Sequence, residues 1–166
     1  MPISMTEFET AGSAFLEVRT KPLFIMKLEA RPAVPAGETP NGPRRVRVIY
    51  GGRFEGERLS GRVLDGGSDW QIVRPDGYTV LDVRLTIETD DGAMIYMTYG
   101  GLRHGPADVM ARIEKGEVVD PASYYFRINP MFETASAKYD WLNGILGIGI
   151  GHRFEQGLVY NVFEVL

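Results

Sequence analysis

Apolar and polar residues alternate over short stretches along most of this 166-residue chain. A period of two residues is typical of β-strands that bury one face. Glycines and prolines separate the stretches and indicate turns, and many short strands joined by turns are typical of a barrel or a sandwich. The pattern therefore predicts a mainly β fold, a single antiparallel β-barrel, with strands over residues 23–28, 45–54, 58–64, 69–74, 79–89, 93–100, 124–129, 131–134, 145–154 and 158–165.

Residues 107–115 have a helical pattern instead. Pro106 occupies the first turn, and Gly116 can adopt the left-handed conformation that commonly ends a helix. We therefore expect one main α-helix in this otherwise β fold. Its apolar face consists of Val109, Met110 and Ile113.

The rest of the chain completes the predicted organisation. Residues 1–14 are expected to form a flexible N-terminal arm, and residues 15–166 a single β-barrel domain. A chain of this length suits one hydrophobic core, since two domains would each be small. Residues 31–43 contain four prolines and two glycines and predict an irregular loop. Residues 139–143 predict a single helical turn.

Two turns set the predicted register of the central strands. Asp90-Asp91-Gly92 suits a three-residue hairpin loop, which pairs residue 83 with residue 99 and gathers the apolar residues of both strands on one face. Asp76-Gly77 suits a two-residue turn, which pairs residue 69 with residue 84 and residue 71 with residue 82. The registers set by the two turns place the polar residues of all three strands on one face, which consists of Asp69, Gln71, Asp82, Arg84, Glu88 and Tyr96.

This polar face has two interpretations. Half-buried antiparallel sheets usually expose one polar face to water, and the face is then an ordinary outer surface. Alternatively, the face lines a wet barrel interior, because interior and exterior residues alternate along every barrel strand. In that case Asp69, Asp82 and Tyr96 form a candidate acid–base cluster and are the predicted catalytic residues.

An aromatic segment over residues 124–134 is a second candidate for function. In extended geometry Tyr125 and Arg127 share a face. One interpretation is a set of core aromatics with a structural Arg127–Glu133 pair. The other is an aromatic-walled pocket with a few polar anchors, the usual composition of a ligand site. The predicted substrate-binding residues are Arg127, close to a carboxylate, together with Tyr125, Phe132, Glu133, Trp141 and, as a proton donor at the pocket mouth, His104.

Composition narrows the possible partners. The chain has a net charge of −4 and no cysteine, which disfavours nucleic acid and anionic membranes and excludes thiol chemistry. The short basic run over residues 44–47 is interpreted as a solvated strand edge. His104 and His152 have no further ligand at short spacing, so we expect no metal and no other cofactor. With no apolar signal or membrane-spanning segment, a cytoplasmic location is predicted.

Four segments carry a resemblance to a known family. They are GGRFEGERLSGRVLDGGSDWQIVRPDG (51–77), LDVRLTIETDDGAMIY (81–96), YYFRINPMFET (124–134) and YDWLN (139–143). These segments resemble a widespread family of small single-domain β-barrel proteins whose function is unknown. The resemblance implies a single antiparallel barrel with a central cavity, but it brings no activity, cofactor or catalytic residue.

The sequence supports three hypotheses of function. The first is a small-molecule-binding barrel that acts as a cofactor-independent lyase, isomerase or cyclase by proton transfer on an aromatic or hydroxylated metabolite. Asp69 or Asp82 is then the general base, Tyr96 the partner acid and Arg127 the anchor for an anionic oxygen. The second is a non-catalytic carrier of an apolar metabolite. The third is an interaction barrel whose surface serves assembly, as in a homo-oligomer.

Overall fold

The computed structural model describes residues 17–154 and 157–166, most of which lie in β-strands. The predicted N-terminal arm, residues 1–14, lies outside these residues. The strands are β1 (Thr20–Ala30), β2 (Val34–Thr39), β3 (Gly42–Glu55), β4 (Ser60–Val63), β5 (Gly67–Val73), β6 (Thr79–Thr89), β7 (Met94–His104), β8 (Tyr125–Ile128), β9 (Met131–Glu133), β10 (Gly147–Phe154) and β11 (Gly157–Val165). Residues Ala107–Glu114 form an α-helix, α1, and Pro121–Ser123 and Asp140–Gly144 form 3₁₀ turns.

Eight of the strands close into an antiparallel barrel, as predicted. Around the barrel they follow the order β1, β3, β5, β6, β7, β8, β10 and β11, and β11 pairs with β1 to complete the ring. β4 pairs with β3 and β6, and β9 pairs with β7. The irregular loop predicted over residues 31–43 is wrong in part, because Val34–Thr39 pairs with β3 as an exposed edge strand. Pro35 has no backbone N–H to donate, and an edge strand tolerates proline because one side of the strand forms no hydrogen bonds with another strand.

The barrel interior is apolar at one end and polar at the other. The apolar end is filled by aromatic and aliphatic side chains, among them Phe24, Phe54, Ile95 and Phe132, all buried. α1 lies at the polar end, where its Ile113 is fully buried and Gly116 ends the helix with a φ of 82°. Within the part of the chain that the structure describes, no helix is long and apolar enough to cross a membrane.

The hairpin between β6 and β7 has the predicted register. Thr89 and Ala93 are joined by a backbone hydrogen bond, Gly92 has a φ of 87°, and Val83 pairs with Tyr99. The Asp91 carboxylate accepts hydrogen bonds from the Tyr139 hydroxyl and the Lys138 ammonium group. The loop therefore also fixes the segment that leads into the second 3₁₀ turn.

The register predicted for the β5–β6 hairpin is wrong by one residue. The Arg74 amide donates to the Tyr78 carbonyl, so the loop has three residues, Pro75 to Gly77, instead of two. Asp69 consequently pairs with Val83 and not with Arg84. Because side chains alternate across a strand, a shift of one residue moves the whole set to the other face. β5 therefore turns Asp69 and Gln71 into the barrel and leaves Trp70 53% exposed outside.

A row of glycines on β10 makes room for the interior aromatic residues. Gly147, Gly149 and Gly151 are buried, and a Cβ placed on Gly151 would lie 2.6 Å from Cδ1 of Phe126. We expect Gly151→Ala to lower the free energy of unfolding by about 1–3 kcal/mol, because the Phe126 ring must move from a packed position. Denaturant unfolding measures this, with Gly144→Ala as a control, since a Cβ there meets no atom within 4 Å. Equal stability of the two variants would contradict the prediction.

Candidate functional site

A polar cluster occupies the barrel interior beneath α1. β3 contributes Arg45 and Arg47, and β5 contributes Asp69 and Gln71. In the backbone register of the two strands Arg45 lies opposite Gln71, and Arg47 lies opposite Asp69. β7 adds Arg103, and α1 adds Glu114. Charged side chains are rarely buried unless they are paired, so a cluster of this kind inside a barrel calls for a functional explanation.

Asp69 is the buried carboxylate of this cluster. Its side chain is 2% exposed, its Oδ2 accepts a short hydrogen bond of 2.5 Å from Nε2 of Gln71, and its Oδ1 has no hydrogen-bond partner among the described residues. Burial raises the pKa of Asp69, although the Gln71 hydrogen bond, the charges of Arg103 and Arg47 and the nearby backbone amide of Asp82 act in the opposite direction. A carboxyl group in this environment can exchange a proton at a higher pH than an exposed aspartate.

Glu114 joins α1 to the barrel through two arginines. Its carboxylate accepts two hydrogen bonds from Arg45, at 2.6 and 2.9 Å, and one from Arg103 at 3.0 Å. The hydrogen bond from Arg45 is the main reason why the pKa of Glu114 is lowered. The Arg103 side chain is only 4% exposed, and its Nε has no hydrogen-bond partner in the described residues. Glu114 is therefore the carboxylate that compensates a buried guanidinium.

Two tyrosines lie next to the cluster on its apolar side. Tyr99 and Tyr160 are buried, and their rings meet edge to face at 5.7 Å. Burial and the nearby charge of Asp69 raise the pKa of Tyr160, and burial, Tyr160 and Asp69 raise that of Tyr99. Both phenols consequently stay protonated at neutral pH. The Tyr99 hydroxyl donates a hydrogen bond to Tyr160, which leaves the Tyr160 hydroxyl as the donor available to another group.

A pocket of about 390 Å³ opens at the same end of the barrel. This mouth pocket lies beside Gly116, the residue that ends α1, and includes two arginines, Arg47 and Arg153. Arg47 connects the pocket to the buried cluster, because it lies opposite Asp69 in the backbone register of β3 and β5. The volume falls in the range of small-molecule sites. Its other lining residues are Leu28, Glu29, Ala30, Tyr50, Phe154, Gly157 and Leu158.

The predicted grouping of Asp69, Asp82 and Tyr96 is wrong. Asp82 is exposed on the outer face of β6, and Tyr96 is 41% exposed on the outer face of β7. There Tyr96 accepts a hydrogen bond from Arg84 at 3.2 Å. Only Asp69 faces the interior, because the three-residue β5–β6 loop places it on the opposite face from Asp82. The interior does contain a polar cluster, but most of its residues come from β3, from the far end of β7 and from α1.

Most of the predicted substrate-binding residues lie on the outside of the barrel. His104 stacks between Tyr78 at 4.0 Å and Tyr125 at 4.8 Å, and the Arg127 guanidinium lies 4.8 Å from the Tyr125 ring. Arg127 donates to the carbonyl of Phe126 and forms no ion pair with any described carboxylate, so its predicted pairing is wrong. The reason is the alternation of side chains in β8, which turns Phe126 and Ile128 inward and Tyr125 and Arg127 outward.

The other aromatic candidates lie away from the mouth pocket. Phe132 is buried against Phe24 with ring centroids 6.0 Å apart, so it belongs to the apolar core. Glu133 is exposed on β9. Trp141 is partly buried beneath the Arg58 guanidinium, which lies 4.0 Å from its ring. None of these residues, nor Tyr125, lines the mouth pocket.

Sequence reasoning missed the arginines and Glu114. The run over residues 44–47 is not a solvated edge, because Arg45 and Arg47 share the inward face of β3 with buried Ile49. That alternation was the available signal. No comparable signal marked Arg153 or Glu114, which reach the site from β10 and α1 only through the fold. Among the described residues, no three His, Asp or Glu side chains gather closely enough to hold a metal ion.

Comparisons with known proteins place this barrel in a family. Residues 18–165 match the family model DUF3237, described as a protein of unknown function. A UPF0311 protein of Rhodopseudomonas palustris is 39% identical over 149 residues, which cover 90% of this chain and 97% of the relative.

Solved structures agree with that relationship. The crystal structure of a conserved protein of unknown function from R. palustris is 38% identical and superposes with a TM-score of 0.85, covering 90% of this chain and 98% of its own. A β-barrel-like protein from Acinetobacter baumannii is 39% identical with a TM-score of 0.79, over 90% and 97% of the two chains. An enzyme from Penicillium herquei shares the fold at 22% identity, with a TM-score of 0.70 over 93% and 99%. The chain therefore belongs to the DUF3237 family of proteins of unknown function.

Proposed function

We propose that the protein binds a small metabolite in the mouth pocket and acts on it by proton transfer, as a cofactor-independent lyase, isomerase or cyclase. The observation that carries the proposal is the buried Asp69 carboxylate, whose Oδ1 has no side-chain hydrogen-bond partner among the described residues and whose pKa is raised. A buried carboxylate that lacks part of its hydrogen bonds lowers the stability of a protein, and such groups are concentrated in active sites. Asp69 lies one strand away from Arg47, which lines the pocket.

In this proposal Asp69 is the general base, and the reacting end of the ligand extends past Arg47 towards it. A raised carboxyl pKa suits that role, because proton transfer is most effective when the pKa lies near the working pH. Tyr160 remains protonated and donates a hydrogen bond to an oxygen that gains negative charge in the transition state, and Tyr99 orients the Tyr160 hydroxyl by donating a hydrogen bond to it. Fixed donors in a buried site stabilise such charge more strongly than water does.

The alternative is a carrier that binds a metabolite without converting it. The apolar side chains of the pocket, Leu28, Leu158 and Phe154, favour binding of an apolar body whether or not chemistry follows. The P. herquei protein supports the enzyme hypothesis only to the extent that a barrel of this shape can hold an active site.

Isotope exchange separates the enzyme from the carrier. A panel of small aromatic and hydroxylated carbonyl compounds is first screened by thermal shift, since a ligand at 100 times its dissociation constant adds about 2.7 kcal/mol of stability. Compounds that bind are then incubated with the protein in D₂O and followed by NMR. We expect deuterium incorporation or a new product for at least one of them. Binding without exchange or conversion for every compound would favour the carrier.

A further inference from the structure

Two arginines in the mouth pocket form no ion pair with any carboxylate that the structure describes. Arg47 comes from β3 and Arg153 from β10, and both are half-buried. Neither guanidinium forms an ion pair with a carboxylate of the described residues, whereas Arg45 and Arg103 share Glu114. Half-buried cations without a counter-charge are costly, so their presence in a pocket points to a charge supplied from outside.

The charges around the pocket do not cancel. Among the residues that the structure describes, the cluster and the pocket together hold four arginines, at 45, 47, 103 and 153, against two carboxylates of the cluster, Asp69 and Glu114. Four positive and two negative charges leave an excess of two positive charges. Glu29 also lines the pocket, but it is exposed on the outer side of β1, and its Oε2 lies against Gly51, 2.9 Å from where a Cβ would stand. It does not neutralise Arg47 or Arg153.

The two arginines also lie close enough to repel each other. Burial lowers the pKa of Arg47, and the charges of Arg153 and Arg45 lower it further, whereas the charges of Asp69 and Glu114 offset only part of this effect. An anion bound between Arg47 and Arg153 would remove this repulsion. The gain on binding would therefore come partly from relief of an unfavourable arrangement in the empty pocket.

We propose that the mouth pocket takes a small organic carboxylate, whose oxygens are held by Arg47 and Arg153 and whose apolar body packs on Leu28 and Leu158. This inference rests on the proposed function and names the class of ligand for the same pocket. The planar guanidinium group matches a carboxylate in two parallel hydrogen bonds. A cavity of about 390 Å³ suits a body the size of a substituted aromatic ring.

The position of α1 favours a carboxylate over a phosphate. Gly116, which follows the last turn of the helix, lines the pocket, so the pocket faces the carbonyl end of α1. That end carries a partial negative charge, whereas phosphate groups are commonly bound at the opposite, N–H end of helices. A dianion would be repelled more strongly than a monoanion at this position.

Binding of benzoate, with benzamide as its uncharged counterpart, tests the inference. We expect benzoate to bind the wild-type protein saturably in calorimetric titration and benzamide to bind at least tenfold more weakly. Arg153→Gln and, separately, Arg47→Gln should each weaken benzoate binding by about 10- to 100-fold, the usual effect of losing a hydrogen bond to a charged group. Arg112→Gln is the matched control, because Arg112 pairs with Glu117 on the exposed side of α1 and should leave binding unchanged.

Three results would overturn the inference: no saturable binding of benzoate, equal binding of benzamide, or tighter binding of inorganic phosphate than of benzoate. Ala30→Phe separates this failure from failure of the proposed function, because it fills the pocket whatever the charge of the ligand. If Ala30→Phe abolishes binding of benzoate while both arginine variants bind benzoate as the wild type does, the pocket is a ligand site but its arginines do not recognise a carboxylate. Melting temperatures without ligand confirm that each variant is folded, and either arginine variant alone suffices for the test.

Discussion

Asp69→Asn is expected to lower turnover by about 10²- to 10⁴-fold while preserving the fold, once a converted compound is identified. The range is the usual contribution of a positioned general acid or base. Asparagine has the same shape, and its carbonyl oxygen can still accept the hydrogen bond from Gln71. It has no carboxylate to take up a proton, so binding should persist and the rate should fall. Steady-state kinetics of the two proteins measure the effect.

Asp82→Asn is the matched control for this substitution. Asp82 carries the same carboxylate on the outer face of the neighbouring strand β6, where it is exposed, so its loss should leave turnover within a factor of two or so of wild type. A similar loss of rate in both variants, or an undiminished rate in Asp69→Asn, would remove Asp69 from the proposed mechanism.

The raised pKa of Asp69 also has a consequence for stability. The folded protein holds the Asp69 proton more tightly than the unfolded chain does, so the free energy of unfolding should fall as pH rises from the usual aspartate pKa through the raised one. Asp69→Asn lacks this dependence and should equal or exceed the wild type in stability at neutral pH. As a general base, Asp69 must be ionised, so wild-type activity should increase over the same pH interval.

Glu114→Ala is expected to lower the free energy of unfolding by about 2–3 kcal/mol. The variant leaves the buried Arg103 guanidinium without its carboxylate and frees Arg45. Breaking a fully buried ion pair costs about 3–5 kcal/mol. The value here is lower because the Glu114 side chain is 44% exposed and water can replace part of the lost interaction. Denaturant unfolding at neutral pH measures the change.

The control for Glu114 is its neighbour Glu117. Glu117 pairs with Arg112 at 2.8 Å, but both side chains are about half exposed, so Glu117→Ala should cost less than about 1 kcal/mol. Because the pKa of Glu114 is lowered in the folded protein, its contribution should be lost as pH falls through that pKa. The difference between wild type and Glu114→Ala should therefore shrink in acid. A constant difference down to low pH would mean that the variant acts through packing and not through charge.

Most of the strands, the helix and one hairpin could be predicted from the sequence. Alternation is a local property, so β6 and β7 could be predicted with their pairing, and the Asp90-Asp91-Gly92 loop could be recognised because a left-handed position requires glycine. The same reasoning predicted α1 with its glycine cap. Asp69 was also identified as a candidate, since a carboxylate within an alternating strand must face either the core or water.

Which face of a strand lies inside the barrel, and which residues meet there, depends on the tertiary structure. One extra residue in the β5–β6 loop reversed the orientation of Asp69 relative to Asp82, and no local signal distinguishes a two-residue turn from a three-residue loop at Pro75-Asp76-Gly77. The arginines and Glu114 come from four elements that are distant in sequence. Their convergence depends on closure of the barrel and on the position of α1 over its end, which are properties of the whole fold and not of any segment.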